Sequence, residues 1–437
     1  MKIEATKKRW QKVVVILILL LVFGVSRWYI LVYPPFYYRD PHDPNSGIGY
    51  SDVKHASERY ANMWRYGLTP YREHLYEYPP GAIPLVYLPL VLDQAGIGTY
   101  YPNYRFQIFL IDAVIFTCLY VVLKRRKSSP LKQFLALGFY IGATAIAKDF
   151  LYDGLDLGFI GALTLALSLP IIIGRKTWFS KLFFWIFFWL STAIKLMTLP
   201  LVLPFFWLKR REWRKELVAC LLGFVIVWGL PLAAFRSSLS VMLVFHAQRP
   251  FNYGSFGKFI IQTINEFTDT EEQTDILPHY PMVGPVSTAV TRVFAWIFPI
   301  AVLVVLGYSL VLIERKRRLT EEGRLYLLLQ ITLIYIFTVF LSSKIFSNPF
   351  HIWYLPLLSL YPFRSLRQQL GCYGLAILLL MLDTTPWLRA PMGAVMGPVS
   401  WSTVRGISRF VPMWLLWYLS LRLQPANRVG RVAVEQD

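Results

Sequence analysis

Apolar residues fall in runs long enough to cross a bilayer, broken by short basic segments and two longer polar stretches. A spanning helix needs roughly 17–25 mostly apolar residues. Such runs lie near 13–33, 104–123, 133–148, 157–174, 216–235, 289–313, 325–343, 370–387 and 407–421. Residues 178–208 form one apolar stretch with basic clusters at both ends, Arg175/Lys176 and Lys209/Arg210/Arg211. Two short crossings that turn near Lys195 keep both clusters on one side. The run 350–363 is short, but Arg364 and Arg367 follow it, which marks it as a further span. The pattern predicts an all-α integral membrane protein, a multi-pass bundle of about twelve transmembrane helices.

Charge gives this bundle an orientation. Of 45 Lys and Arg residues, 28 fall in the segments 2–12, 124–132, 175–181, 209–215, 315–324, 364–367 and 422–431. Such an excess marks the cytoplasmic side. Both termini are then expected in the cytoplasm, with the chain in the plasma membrane. The first run starts basic like a signal peptide, but it is too long and ends in Arg27-Trp28-Tyr29, so it reads as an uncleaved span. Two long loops face outward, 34–103 and 236–288, the first rich in Tyr and Pro and both carrying Asp and Glu. All six histidines, His42, His55, His74, His246, His279 and His351, fall on or near that face. Residues 81–92 are apolar but too short to cross, and their prolines favour a re-entrant or interfacial piece. There is no internal repeat, and residues 1–437 read as one polytopic domain.

Composition narrows the class. The 437 residues are 56% hydrophobic and only 16% charged, with net charge +20 and mean hydropathy +0.46. A soluble domain carries about 25% charged residues. Disorder and a soluble basic nucleic-acid binder are excluded, so nucleic acid is not an expected partner. Cys118, Cys220 and Cys372 each sit in an apolar run without a C-x-x-C, which argues against a disulfide framework or zinc site. No G-x-G-x-x-G phosphate loop occurs. No metal and no cofactor are expected.

The densest polar constellation lies in the first outer loop: Ser51-Asp52-Val53-Lys54, Tyr60, Gly67 to Arg72, and Tyr76-Glu77-Tyr78-Pro79-Pro80. The spacing allows a short helix over 52–66 with Ser51 as N-cap. Asp52 would sit in its first turn, held ionised by the helix dipole. Such a carboxylate suits a general base acting on a hydroxyl. Equally, Asp52 could only help to cap the helix, and the chemistry alone leaves both readings open.

These residues resemble the first periplasmic loop of polytopic GT-C glycosyltransferases. The nearest group is GT87/DUF2029-like, which includes polyprenol-phosphate-mannose-dependent mannosyltransferases. Three further segments carry the resemblance. Lys195 with Leu199-Pro200 and Pro204 is similar to a K-x-x-P hairpin. Phe245-His246-x-x-Arg249 with Ser255 is similar to an H-x-x-R…S loop. Ser343-Lys344-Ile345-Phe346-Ser347-Asn348-Pro349 with Trp353 and Pro356 is similar to an S-K-x-x-S-P-x-x-x-W-x-x-P segment. The chain departs from the pattern at Asn348 to His351 and at Phe251 to Gly254.

The resemblance implies a GT-C fold and transfer of a hexose, mannose first, from a polyprenyl-phosphate donor. The acceptor would be a lipid-linked or cell-envelope glycan on the outer face. Asp52 takes the role of catalytic base, with inversion at the anomeric carbon. Arg249, Lys344 and Lys195, with His246 and His351 as hydrogen-bond donors, would hold the donor phosphate. Tyr71, Glu77, Tyr78, Ser255 and Ser347 would contact substrate. Donor, acceptor and membrane lipids are the expected partners. A transporter or flippase of lipid-linked sugars is the alternative; it would thread ionisable residues along the spans. A non-catalytic assembly protein is a further rival.

Other polar residues read more plainly. Asp149, Asp153 and Asp156 form a turn that could hold a divalent cation, but solvation is the default for such carboxylates. Glu266, Asp269, Glu271, Glu272 and Asp275 read as a solvated loop. Asp112 lies inside a span with no partner evident in the sequence, which makes it a candidate functional residue.

Overall fold

The computed structural model describes residues 2–32, 51–174, 177–249, 251, 254–273, 282–316, 319–385, 388 and 401–424. His42, His279, Asn252, Tyr253, Asp275, Arg175, Lys176 and residues 34–50 of the expected first loop lie outside them. The described chain is almost wholly helical and packs as two units, Met1–Leu196 with Val218–Met242, and Met197–Leu217 with Leu243–Asp437.

Helices of the first unit are α1 (Lys2–Val32), α2 (Glu58–Arg65), α3 (Ile83–Gln94), α4 (Tyr100–Arg125), α5 (Pro130–Ile146), α6 (Lys148–Leu151), α7 (Asp156–Ile173) and α8 (Trp178–Ile194). They are followed by α9 (Val202–Leu208), α10 (Trp213–Phe235), α11 (Ser240–Gln248), α12 (Phe256–Thr268), α13 (Pro285–Arg315), α14 (Glu321–Ser342), α15 (Leu355–Leu360), α16 (Leu366–Thr384) and α17 (Trp401–Arg422). Two-residue strands, Glu272–Gln273 and Met282–Val283, pair antiparallel.

Among the described residues six helical segments are long and apolar enough to cross a membrane: Val13–Val32, Tyr100–Arg125, Asp156–Ile173, Arg210–Gln248, Pro285–Arg315 and Gly323–Ser342. Shorter apolar pieces cover Trp178–Ile194 and Leu196–Leu208. The sequence expectation of a span at 350–363 is corrected. That stretch is a 3-10 turn, Asn348–Trp353, and the six-residue α15, each with a proline in its first turn. Six helical residues rise about 9 Å, far short of a roughly 30 Å hydrocarbon core.

In the first unit α7 is apolar on almost every face, and its neighbours bury it. Small residues let the helices close up. A Cβ on Gly158 would come 2.7 Å from Leu85 Cδ1, and one on Gly161 would come 2.8 Å from Ile111 Cγ2. α8 is tied to α10 by Trp189 Nε1 donating to the Cys220 carbonyl at 2.9 Å. The segment 81–92 falls in the 3-10 turn Pro80–Ala82 and the short helix α3, consistent with a piece that does not cross. It lies on α4, where Tyr100 OH donates to the Val86 carbonyl at 3.2 Å and Gln107 Nε2 to the Leu85 carbonyl at 3.0 Å.

Asp112 has a partner after all. Arg27 Nε on α1 donates to its Oδ2 at 2.8 Å, Tyr152 OH to Oδ2 at 2.7 Å and Tyr140 OH to Oδ1 at 2.6 Å. Arg27 Nη2 also reaches Thr144 Oγ1 at 2.5 Å. Both charges are fully buried. A buried carboxylate is tolerable when a counter-charge and hydrogen bonds replace its water. This network joins α1, α4 and α5 to the turn that follows α6.

In the second unit α14 is enclosed along its whole apolar length. Phe337 and Phe340 on it meet Phe346, Phe350, Trp353 and Tyr354 of the segment that follows. Glu271 is also corrected from a solvated residue. It is buried, and its carboxylate accepts from Val286 N at 2.7 Å and Ser287 N at 3.1 Å, capping the start of α13.

Candidate active site

The first unit brings Glu77, Asp153, Asp156 and Lys195 into electrostatic reach of Asp52. Asp156 opens α7 and Lys195 caps the C-terminus of α8, so each charge sits at the helix pole that favours it. Lys195 Nζ lies 2.6 Å from Asp156 Oδ1. The turn before α7 carries Gly154, where an added Cβ would lie 3.3 Å from Asp156 Oδ2 and 4.0 Å from Asp52 Oδ2. Glycine there leaves two carboxylates facing one small space.

Asp52 begins the segment that becomes a π-helical turn, Val53–Ser57, and then α2. The expected capping geometry is not what forms. Asp52 makes no side-chain cap, and Ser51 Oγ donates instead to Asp153 Oδ1 at 2.6 Å. The expectation of a carboxylate held ionised by the dipole is also corrected. Burial, reinforced by the charges of Asp156, Glu77 and Asp153 and opposed by Lys195, pushes the Asp52 carboxyl up to about 7. Desolvation and like charges outweigh one weak helix pole.

Asp153 and Asp156 are buried rather than solvated. Asp153 accepts from Ser51 and, at 2.9 Å, from Tyr101 OH, and Arg105 Nη1 stands 3.5 Å from its Oδ2. Burial raises the Asp153 carboxyl above the usual range, while Arg105, Ser51 and Tyr101 pull against it. Asp149 alone of the three behaves as read, pairing with Lys148 at 2.5 Å near the surface. Among the described residues no three His, Cys, Asp or Glu side chains converge as ligands of a metal ion.

Beside this cluster the loop folds on its own aromatic rings. Tyr76 is fully buried, with Tyr60, Trp64, Tyr71 and Tyr78 edge-on around it. Tyr71 is buried with a left-handed backbone, φ 66°, and its hydroxyl donates to the Tyr78 carbonyl at 2.5 Å. Tyr71 is therefore part of the loop's scaffold, while Glu77 and Tyr78 are half-buried. Pro80–Ala82 locks the loop onto the end of α8. A Cβ on Gly81 would fall 2.7 Å from the Ala193 carbonyl carbon and oxygen, so only glycine fits. Lys195, the C-cap of α8, follows two residues later in sequence, which sets the lysine near the loop.

The remaining sequence candidates belong to the second unit. Arg249 is half-buried with its guanidinium 5.7 Å from the Phe245 ring centre, and Phe245 in turn meets His246. Ser255 is buried and caps α12 by accepting from Lys258 N at 3.3 Å. Ser347 and Lys344 are half-buried. His351 is fully buried, with Nε2 2.7 Å from Asp383 Oδ2 and Nδ1 3.1 Å from Tyr354 OH. Both of its ring nitrogens thus hold protein partners.

Asp383 and Arg409 were missed in the sequence. Arg409 Nε donates to Asp383 Oδ1 at 2.8 Å, Nη1 to the Gly254 carbonyl at 2.8 Å and Nη2 to Asn348 Oδ1 at 3.4 Å. One guanidinium therefore joins the segment before Ser255 to the segment after Lys344. Each of these charges stands near or within an apolar run, as Asp112 does, and that shared oddity was the available signal.

No family model and no curated protein matches the chain. Among solved structures it is similar to ArnT from Cupriavidus metallidurans in the apo state, with TM-score 0.46 and 14% identity over 95% of this chain and 77% of that chain. It is similar to the same protein bound to undecaprenyl phosphate with TM-score 0.45 and 14% identity, over 94% and 77% of the two chains.

Proposed function

We propose that the chain is a membrane glycosyltransferase of GT-C type. It moves a hexose, mannose in the first instance, from a polyprenyl phosphate to a glycan or glycolipid acceptor at the membrane surface. The observation that carries this reading is the gathering of Asp52, Glu77, Asp156 and Lys195 at the ends of two apolar helices. Asp52 accepts the proton of the acceptor hydroxyl. The hydroxyl oxygen attacks the anomeric carbon, the bond from that carbon to the phosphate oxygen breaks, and configuration inverts. A base whose carboxyl titrates at about 7 is matched to work near neutral pH.

The leaving phosphate is anionic and needs fixed positive charge. Lys195 supplies one such charge beside the base. The sequence resemblance further assigns Arg249 and Lys344 to the donor phosphate, with His246, Ser255 and Ser347 near them in the chain. His351, held on both nitrogens, serves that region by positioning the 348–354 segment. A transporter reading gains no support from the spans: the buried charges Arg27 and Asp112 neutralise each other with hydrogen bonds from Tyr140, Tyr152 and Thr144.

The test is incubation of the purified protein with a panel of polyprenyl-phosphate sugars and a mixed glycolipid acceptor pool. Release of polyprenyl phosphate with one or more donors supports the assignment; none with any donor removes it.

A further inference from the structure

At one end of the second unit, where α16 begins and α17 finishes, lies a cavity that the proposed reaction does not use. Its volume is about 410 Å³, and Arg364, Arg367 and Arg422 line it together with Leu419, Leu423 and Gly371. Among the described residues no carboxylate lines it. Arg364 Nη1 donates to Gln424 Oε1, a neutral acceptor, at 2.9 Å. The Arg422 guanidinium lies 5.4 Å from the centre of the Tyr418 ring. Among the described residues none of the three arginines has an acidic partner.

Three exposed guanidiniums around one cavity repel each other weakly through water and are all accessible to a single anion. Arginine suits phosphate best, because its planar fork gives two parallel hydrogen bonds to the oxygens. The setting adds to the repulsion. Arg367 lies in the first turn of α16, which has no acidic residue, and a cation there opposes the helix dipole. Leu419 supplies apolar surface beside the charge, and the helices that form the cavity are mostly apolar. That pairing fits a lipid better than a free ion, since basic pockets between membrane helices take phospholipid head groups.

We propose that this cavity binds the phosphate of an anionic phospholipid. The site is separate from the sugar-transfer reading and does not depend on it. Binding fixes the end of α17 against the start of α16 by bridging Arg422 to Arg364 and Arg367.

The test uses the purified full chain in neutral detergent. Native mass spectrometry would follow phosphatidylglycerol and phosphatidylcholine retention, and thermal melting would follow added inorganic phosphate. Wild type should retain phosphatidylglycerol in preference to phosphatidylcholine. Arg367→Gln and Arg422→Gln should each weaken retention by about fivefold, the scale of one basic residue at an anionic surface. Arg367→Glu suits the helix dipole, so it should fold at least as well while abolishing the preference. Stabilisation of wild type by inorganic phosphate, lost in Arg367→Glu and without any lipid preference, would overturn the lipid assignment in favour of a free anion. Equal behaviour of wild type and Arg367→Glu toward both probes would overturn the site.

Discussion

Lys195 Nζ stands 2.6 Å from Asp156 Oδ1, joining the C-terminus of α8 to the N-terminus of α7. The pair sets the electrostatics of Asp52, because Asp156 raises its carboxyl and Lys195 lowers it. The rate should therefore carry a limb that rises with pH, with an apparent pKa near the Asp52 value of about 7. Asp156→Asn removes the opposing negative charge and should move that limb to lower pH. Lys195→Met should move it to higher pH. The profile of kcat/KM against pH, which reports the free enzyme, checks both signs.

Stability should show the same group with the opposite sense. An ordinary aspartate titrates near about 3.9, and Asp52 in the folded chain titrates at about 7. Between those values the native protein holds a proton that the unfolded chain has released, so this group's contribution falls as pH rises through the window. Asp52→Asn should therefore melt higher than wild type above pH 7 and close to it at pH 4, as thermal scans at the two pH values would show.

The buried pair Arg27–Asp112 should behave as a unit. Arg27→Met leaves a carboxylate buried without its counter-charge and should cost about 3–5 kcal/mol. The double variant Arg27→Met, Asp112→Leu should recover part of that loss. Melting of the single and double variants in detergent measures the coupling. A double variant less stable than both single ones would exclude the ion pair as a source of stability here.

Arg409 holds three acceptors that a lysine ammonium cannot reach in one plane. Arg409→Lys should lower the melting temperature although the charge is kept. If Arg249 and Lys344 bind the donor phosphate, Arg409→Lys should also raise donor KM. Arg249→Ala and Lys344→Ala should lower kcat as well, since charge develops on the leaving group. Steady-state kinetics with a short-chain polyprenyl-phosphate donor separates the two effects. Wild-type kcat and donor KM in both alanine variants would take these residues out of phosphate binding.

The helical membrane architecture was legible because a bilayer imposes length and apolarity on each span, and both are visible in one sequence. The short segments were harder. Residues 350–363 have a span's composition, but Pro349 and Pro356 start separate short turns rather than one helix. In the candidate site Asp52 stood out through its loop, whereas Asp153 and Asp156 looked like a polar turn. Their burial depends on Ser51, Tyr101, Arg105 and Lys195, which reach them from other segments. Arg27 and Asp112 are 85 positions apart, and only the fold pairs them. Local spacing carries no information about such contacts.

The most direct measurement is turnover by Asp52→Asn with the donor that wild type accepts, read as released polyprenyl phosphate. The amide keeps the side chain's size and cannot take the acceptor's proton. Turnover should fall by at least about 10²-fold, the low end for general-base catalysis, in a variant that stays folded and binds donor. Turnover near the wild-type rate would contradict the assignment of Asp52 as the base and, with it, the account of the cluster around Lys195 and Asp156.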